Sequence, residues 1–289
     1  MDLQGTVIRP PSEAGSILLQ VSLGCTHGKC AFCGAYLDKP RFAIKEHGQV
    51  LADLAWAARN MPDIRRLFLC DGDALSMPQR LLEEILDAVR EHLPRVTRVA
   101  AYGNARGLRH KSMAELRRLR EKGLGMVYMG LESGDDSILK RMNKGCGIDR
   151  IIEQGHRVME AGLKLNVTVI NGLGGVEHSM EHARETARAL SELGPQQAAA
   201  LSLMLVPGTP LHRDSEQGLF VVPDAMGMLA ELREMVAHLH MKGLFLANHA
   251  SNYVPVRARL PRDKDAVLHD LDSALAGQDR IRDESLRRL

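Results

Sequence analysis

The sequence predicts an α/β fold, a partial (β/α)6 barrel of the TIM type with a mixed, mainly helical C-terminal extension, and three observations carry that prediction. Six times between Ile17 and Leu205, a short apolar run is followed by a segment whose apolar residues recur at helical spacing. Strands separated by helices imply right-handed crossovers and so a parallel sheet. The glycine-bearing and polar motifs fall at the C-terminal ends of those strands, the rim on which such barrels carry their sites. Finally, 289 residues with 45% apolar content suffice to bury one large core.

Residues 1–16 are aperiodic and read as an irregular lead-in. An apolar run from Ile17 enters a loop holding Cys25, Cys30 and Cys33, after which Val50, Leu51, Leu54, Ala55 and Ala58 mark a helix. IRRLFLC, ending at Cys70, is the next strand, and Leu81, Leu82, Ile85, Leu86 and Val89 form the next helical stripe. A strand from about Val96 to Tyr102 precedes Ser112, which with Glu115 makes a capping box that opens a helix stopped by Gly123. A strand from Met126 to Leu131, helices at Ser137–Met142 and Ile148–Ala161, and a strand ending at Ile170 continue the alternation. A helix from about Ser179 to Leu193 and a strand from about Ala198 to Leu205 complete the six units.

A boundary near Phe220 then separates residues 1–220, the barrel with its cysteine loop 25–33, from residues 221–289, an extension that closes or packs on it. This extension holds a helix at Asp224–Met241, a short strand LFLAN, the stretch HASNYVPVRARLP and a helix at Asp263–Ala276. The basic residues of 280–289 are interleaved with Asp279, Asp283 and Glu284, and the tail reads as a solvated, frayed helix.

A net charge of +2 implies no polyanionic partner, so a nucleic-acid substrate is not expected. No apolar run reaches the length of a membrane helix and the N-terminal residues have no signal-peptide core, so a cytoplasmic location is expected. An odd count of five cysteines argues against a disulfide framework.

The cysteines are spaced C-x4-C-x2-C, within reach of one metal centre. Structural zinc normally takes four Cys or His ligands, whereas an iron–sulfur cluster held by three thiolates leaves one iron open to another ligand. A zinc knuckle completed by His27 is the rival reading, but His27 lies only two residues past Cys25, an awkward reach. Cys70 ends a strand and reads as a small core residue; Cys146, in NKGCGID, reads as a bystander.

The cysteine loop and the turns that follow it resemble the radical S-adenosylmethionine (radical SAM) superfamily, in the branch near oxygen-independent coproporphyrinogen oxidase and the methylthiotransferases. The resemblance covers about residues 17–212 and departs from the usual C-x3-C-x2-C by one residue, so the loop must bulge. It implies a [4Fe-4S] cluster on Cys25, Cys30 and Cys33, with Phe32 beside the adenine of S-adenosylmethionine. Asp71, Gly72 and Asp73 match the turn that receives the cofactor's amino group, and Asn104 is a candidate contact. Glu132 and Ser133 of GLESG match residues facing its methionine or ribose part, with Arg141 able to pair with a carboxylate. Ile170 and Gly172 of INGLGG match the glycine-bearing turn that lets backbone pack against adenine, and Val206 of LVPGTP, a further candidate cofactor contact, lies in a match to the turn after strand 6 of the same branch.

The resemblance further implies reductive cleavage of S-adenosylmethionine to a 5′-deoxyadenosyl radical, fed by a flavodoxin or ferredoxin-type donor. The two cysteines outside the loop are too few for a second four-thiolate cluster, which favours a small-molecule or cofactor-precursor substrate. His249 and Tyr253, with Asn248, Ser251 and Asn252, form a polar group past a seventh strand end and are the candidate catalytic and substrate-facing residues. Two rivals remain open: an iron–sulfur electron-transfer or redox-sensing protein, and a scaffold that binds S-adenosylmethionine without cleaving it.

Overall fold

The computed structural model describes residues 1–40, 42–279 and 281–288. Its first half runs β1 (Ile17–Gln20), β2 (Ser22–Leu23), β3 (Ala43–Ile44), α1 (His47–Asn60), β4 (Arg66–Cys70), α2 (Gln79–His92), β5 (Arg98–Tyr102), α3 (Ala105–Leu108), α4 (Met113–Glu121) and β6 (Leu124–Glu132). Then follow α5 (Asp136–Arg141), α6 (Ile148–Glu160), β7 (Lys164–Asn171), α7 (Gly175–Leu193), β8 (Gln197–Ser202) and α8 (Pro210–Glu216). The last elements are α9 (Ala225–His238), β9 (Gly243–Ala247), β10 (Val256–Leu260) and α10 (Lys264–Leu275). Eight strands form one sheet in the order β1-β4-β5-β6-β7-β8-β9-β10, and β2 pairs with β3 apart from it. The chain divides into two compact units.

The first unit comprises Met1–Gly28, Ala35–Met129 and Gln154–Leu165. Its strands pair in parallel, with Ile17 opposite Leu67, and Arg66 opposite Arg98. Side chains alternate along them, so Phe68, Cys70, Ala100, Met126 and Tyr128 cluster together, with Val7, Leu18 and Tyr102 packed against them. Phe68 meets Tyr102 and Tyr128 edge-to-face at centroid distances of 5.0 and 5.7 Å.

The presence of Val7 in that cluster shows what the aperiodic lead-in does. Gln4 donates its amide to Gln20 Oε1 at 2.8 Å, and the Tyr128 hydroxyl donates to the fully buried Glu13 at 2.6 Å. The segment is thus fastened to the strands by hydrogen bonds without having any period of its own. The expected capping box of Ser112 and Glu115 opens α4, and Gly123, at φ +108°, follows its last turn.

The second unit comprises Lys29–Gly34, Gly130–Glu153 and Asn166–Leu289. Here β7 pairs in parallel with β8 and β8 with β9, so LFLAN extends the parallel order by a further strand. Val256–Leu260, which the sequence leaves without an element, adds β10 antiparallel to β9. Val256, Ala258 and Leu260 face inward while Arg257 and Arg259 are exposed, a period-two pattern obscured by its shortness and by prolines on either side.

The C-terminal tail departs from expectation. It is no frayed helix: one short 3-10 turn, Glu284–Leu286, leads to Arg287, which is buried and donates to the carbonyls of Ser251 and Leu203 and to the Tyr253 hydroxyl. Its guanidinium also lies 4.4 Å from the centroid of the Tyr253 ring. Mixed charge suggests solvation, but an arginine that finds three acceptors at once is held in place. Arg280 and Leu289 lie outside the described residues.

Candidate functional site

In the first unit the loop before Cys25 is fastened to the turn after β4. Gly24 donates its amide to Asp71 Oδ2 at 3.1 Å, and the Gly72 amide returns a bond to the Gly24 carbonyl at 3.1 Å. Asp71 sits at φ +70°, a conformation that costs a non-glycine residue energy and persists where surroundings over-determine it. The surroundings here are Lys39, whose ammonium reaches both carboxylate oxygens at 2.7 and 2.8 Å, and Gln20 at 3.3 Å. Gly72 is required by space: a Cβ there would lie 2.8 Å from the Cβ of Cys25.

Asp73 is buried completely and serves the same loop from the other side. Its Oδ2 accepts from Thr26 Oγ1 and from Asn104 Nδ2, both at 2.6 Å, and from the Ser76 hydroxyl, while the Asn104 amide reaches Oδ1 at 3.2 Å. Burial raises the Asp73 pKa above the ordinary carboxylate value, and these donors oppose that rise. Asn104 is committed on both sides, because its Oδ1 caps α3 through the Gly107 amide at 2.8 Å. Thr26 and Gly28, at φ +58°, lie in the four-residue stretch where a bulge is expected. His27 Nδ1 accepts from Arg106 at 3.2 Å.

In the second unit Cys30 and Cys33 bracket a turn closed by Cys33 N–H to Cys30 O at 3.1 Å. Ala31 donates to Met142 O at 2.8 Å and accepts from the Leu211 amide at 2.9 Å, and Asn143 Nδ2 reaches Lys29 O at 3.0 Å. Half-buried Phe32 lies in this stitched segment. Next to Cys33, Gly34 lies so close to Val206 that an added Cβ would stand 3.0 Å from the valine Cβ. Val206 O in turn accepts from the amide and hydroxyl of Thr209 at 3.1 and 2.7 Å.

GLESG makes a strained exit from β6. Glu132 has φ +68°, and its carboxylate pairs with Lys144 at 2.7 Å, both side chains being largely buried. Lys144 is a residue that sequence reasoning misses; its signal is the short return from GLESG to NKG across α5. Ser133 is buried, its hydroxyl accepting from the Asp135 amide at 3.1 Å. Arg141 turns elsewhere: it donates to Leu219 O at 2.6 Å and stands 5.3 Å from the Phe220 centroid. Ile170 is half-buried near the end of β7, and Gly172 follows at φ +89°.

The polar group near the C-terminus is built mainly of internal bonds. Asn252 is tied to Ser202 Oγ at 2.9 Å and Ala200 O at 3.0 Å, and Ser251 Oγ accepts from the Ser202 amide at 3.2 Å. The Tyr253 hydroxyl lies between Glu284 at 2.5 Å and Arg287 at 2.8 Å, and burial with Glu284 pushes its pKa up to about 12. His249 is half-buried; its Nδ1 accepts from the Ser251 amide at 3.1 Å, and burial, with Arg282 adding to it, lowers its pKa. Asn248 is exposed. A hollow of about 970 Å³ opens beside Tyr253, Asp224, Arg282 and Glu284.

A family model described as the radical SAM superfamily matches residues 19–190, more than half of the chain. The chain belongs to the radical SAM superfamily. Among solved structures, the radical SAM methyltransferase TsrM from Kitasatospora setae, with cobalamin and a [4Fe-4S] cluster bound, is similar at a TM-score of 0.58 and 21% identity over 72% of this chain. This chain spans only 41% of that methyltransferase. Coproporphyrinogen III oxidase (HemN) from Escherichia coli is similar at 0.57 and 17% identity, over 77% of this chain and 51% of that one. Methylornithine synthase (PylB) is similar at 0.55 and 15% identity, over 92% of this chain and 83% of that one. At these identities the likeness shows the α/β barrel-type fold. No curated protein sequence matches the chain.

The donor chemistry of this radical SAM protein suits a cluster held by three thiolates. None of its five cysteines is in a disulfide. The oxygen and nitrogen donors flanking Cys25 are already engaged, Asp71 by Lys39, Asp73 by Thr26 and Asn104, and His27 by Arg106. Soft sulfur ligands favour iron–sulfur centres, and His27, the zinc rival's fourth ligand, already has a cationic neighbour at Nδ1. Cys70 is fully buried, with its thiol pKa pushed up to about 12 by burial and by Asp71, which keeps it a neutral core residue. Cys146 is half-buried in a hollow with Asp136, Asp149 and Glu153. No helix among the described residues is long and apolar enough to cross a membrane.

Proposed function

We propose that the chain holds a [4Fe-4S] cluster through Cys25, Cys30 and Cys33, binds S-adenosylmethionine there, and acts on a small-molecule or cofactor-precursor substrate. When bound, the cluster supplies one electron to the sulfonium, giving methionine and a 5′-deoxyadenosyl radical that takes a hydrogen atom from substrate. The electron comes from outside, from a flavodoxin or ferredoxin-type protein. The observation that carries the reading is the bracing of the cysteine loop: Asp71 holds the Gly24 amide just before Cys25, and Asp73 holds the Thr26 hydroxyl just after it.

The residues of the chain divide the remaining work. Glu132, oriented by Lys144, offers an acceptor to the hydroxyls or ammonium of the cofactor, and the left-handed turn at Gly172 lets backbone approach adenine. Ser133 and Asp73 serve by fixing the turns that contain them, and Asn104 by capping α3 over Asp73. His249 and Tyr253 are proposed to face substrate, Tyr253 through its ring and edge, since its proton is held between Glu284 and Arg287.

Anaerobic reconstitution with iron and sulfide, followed by assay for 5′-deoxyadenosine with and without dithionite, tests the proposal. Production that requires both reductant and all three loop cysteines is expected. A cluster that forms without any 5′-deoxyadenosine would instead assign the chain to electron transfer or redox sensing.

A further inference from the structure

Glu231 is a carboxylate buried completely in the second unit, on α9, and nothing in the sequence marks it. It accepts three hydrogen bonds. The Gly172 amide reaches its Oε1 at 2.5 Å, His182 Nδ1 lies 2.9 Å from the same oxygen, and Ser179 Oγ reaches Oε2 at 2.5 Å. Ser179 and His182 both lie on α7, one turn apart, and both are buried. Two further contacts join α9 to the same turn: Asn171 Nδ2 donates to Met228 O at 2.7 Å, and a Cβ on Gly172 would stand 2.6 Å from Met228 Sδ.

A buried carboxylate is costly unless its lone pairs are met, so the cluster demands a reason. Its one bond outside the helices goes to the backbone amide of Gly172, at φ +89° the pivot of the turn after β7. We infer that Glu231 is a positioning residue for S-adenosylmethionine: with Ser179 and His182 it fixes the Gly172 peptide, and so the backbone surface offered to adenine. This inference rests on the proposed role of Gly172.

The test uses the anaerobically reconstituted full chain, two probes and three variants. S-adenosylmethionine reports the whole site; methionine, which has no adenine, reports its amino-acid end, read by its perturbation of the reduced cluster's electron paramagnetic resonance. Amide hydrogen exchange of residues 170–175, measured without cofactor, reports the turn directly. Glu231→Ala strands the Gly172 amide and is expected to weaken S-adenosylmethionine about tenfold or more, to speed exchange in the turn, and to leave methionine binding and iron content unchanged. Glu231→Gln keeps one acceptor for Gly172 and is expected to restore most of both readouts. Ser179→Ala, which alters no charge, covers the case in which Glu231→Ala does not fold; it is expected to move the same readouts in the same direction by less.

The inference is overturned if turn exchange and S-adenosylmethionine affinity stay at wild-type values in Glu231→Ala, or in Ser179→Ala where the former does not fold. It is also overturned if methionine binding falls in parallel, since the defect is then general. Gly172→Ala separates the two levels. If it leaves S-adenosylmethionine affinity unchanged, the adenine role of the turn fails; if it weakens binding while the Glu231 variants do not, only the role of Glu231 fails.

Discussion

Around Cys25, Asp71 and Asp73 gather the backbone of Gly24, the hydroxyl of Thr26 and the ammonium of Lys39; around Ser251, by contrast, Asn252, Tyr253 and Arg287 gather the end of the chain itself. Both regions are polar, largely buried and internally satisfied, as buried polar groups must be. They differ in what they hold. The first network fixes a segment that carries a thiol, whereas the second fixes a tail and a strand end. The contrast is between a network that immobilises a thiol-bearing loop and one that immobilises the end of the chain beside the proposed substrate-facing residues.

The largest expected effect tests that contrast directly. Cys25→Ala, Cys30→Ala and Cys33→Ala should each lose essentially all iron on anaerobic reconstitution, while Cys70→Ala and Cys146→Ala keep it, as iron and sulfide analysis will show. Iron lost with Cys146→Ala would move the boundary of the first region. For the second, Arg287→Ala leaves two carbonyls and a phenol without their donor and should cost about 2–4 kcal/mol of stability in urea unfolding, with iron content unchanged. If cluster content fell with it, the two regions would not be separable in function.

A smaller effect concerns ligand rather than fold. Glu132→Ala removes a charge-assisted hydrogen bond and should weaken S-adenosylmethionine by roughly 1.5–3 kcal/mol in isothermal titration, with the cluster's absorption intact. Unchanged affinity would leave Glu132 as only the ion-pair partner of Lys144. The smallest effect is a pH dependence. Burial lowers the pKa of His249 below its ordinary 6.5, so the unfolded chain binds that proton more readily. The stability this contributes is complete above about pH 6.5 and is lost as pH falls from there through the folded value. Thermal melts between pH 8 and pH 5 should therefore be steeper for wild type than for His249→Asn, and equal slopes would show that the imidazole titrates as it does in water.

What can be read from the chain in advance follows from how local each signal is. The alternation of strands and helices, the capping box at Ser112 and the burial of Cys70 depend on neighbours within a few residues, and each is present. The role of residues 1–16 is not legible, because Val7 packs on the cluster of Phe68, Cys70, Ala100, Met126 and Tyr128, and Glu13 meets Tyr128, all far along the chain. The tail misleads for the same reason: Arg287 resembles any charged terminal residue until Leu203 and Ser251 supply acceptors. At the candidate site, the glycines and Glu132 are visible as motif residues, but Lys144, Lys39 and Glu231 are not, since only the folded chain shows which carboxylate or amide each one meets.

One carboxylate closes the ends of a long segment. Asp71 takes the amide of Gly24, just before the first cysteine, and the ammonium of Lys39, six residues after the last. The stretch between them is thus a loop with both ends tied to a single side chain, and its closure entropy is met when the protein folds rather than when metal arrives. For the cluster proposed above, iron and sulfide would then meet a segment whose two ends are already tied. A weakened clasp, as in Asp71→Asn, would show itself as slow filling of a site whose final occupancy is nearly normal.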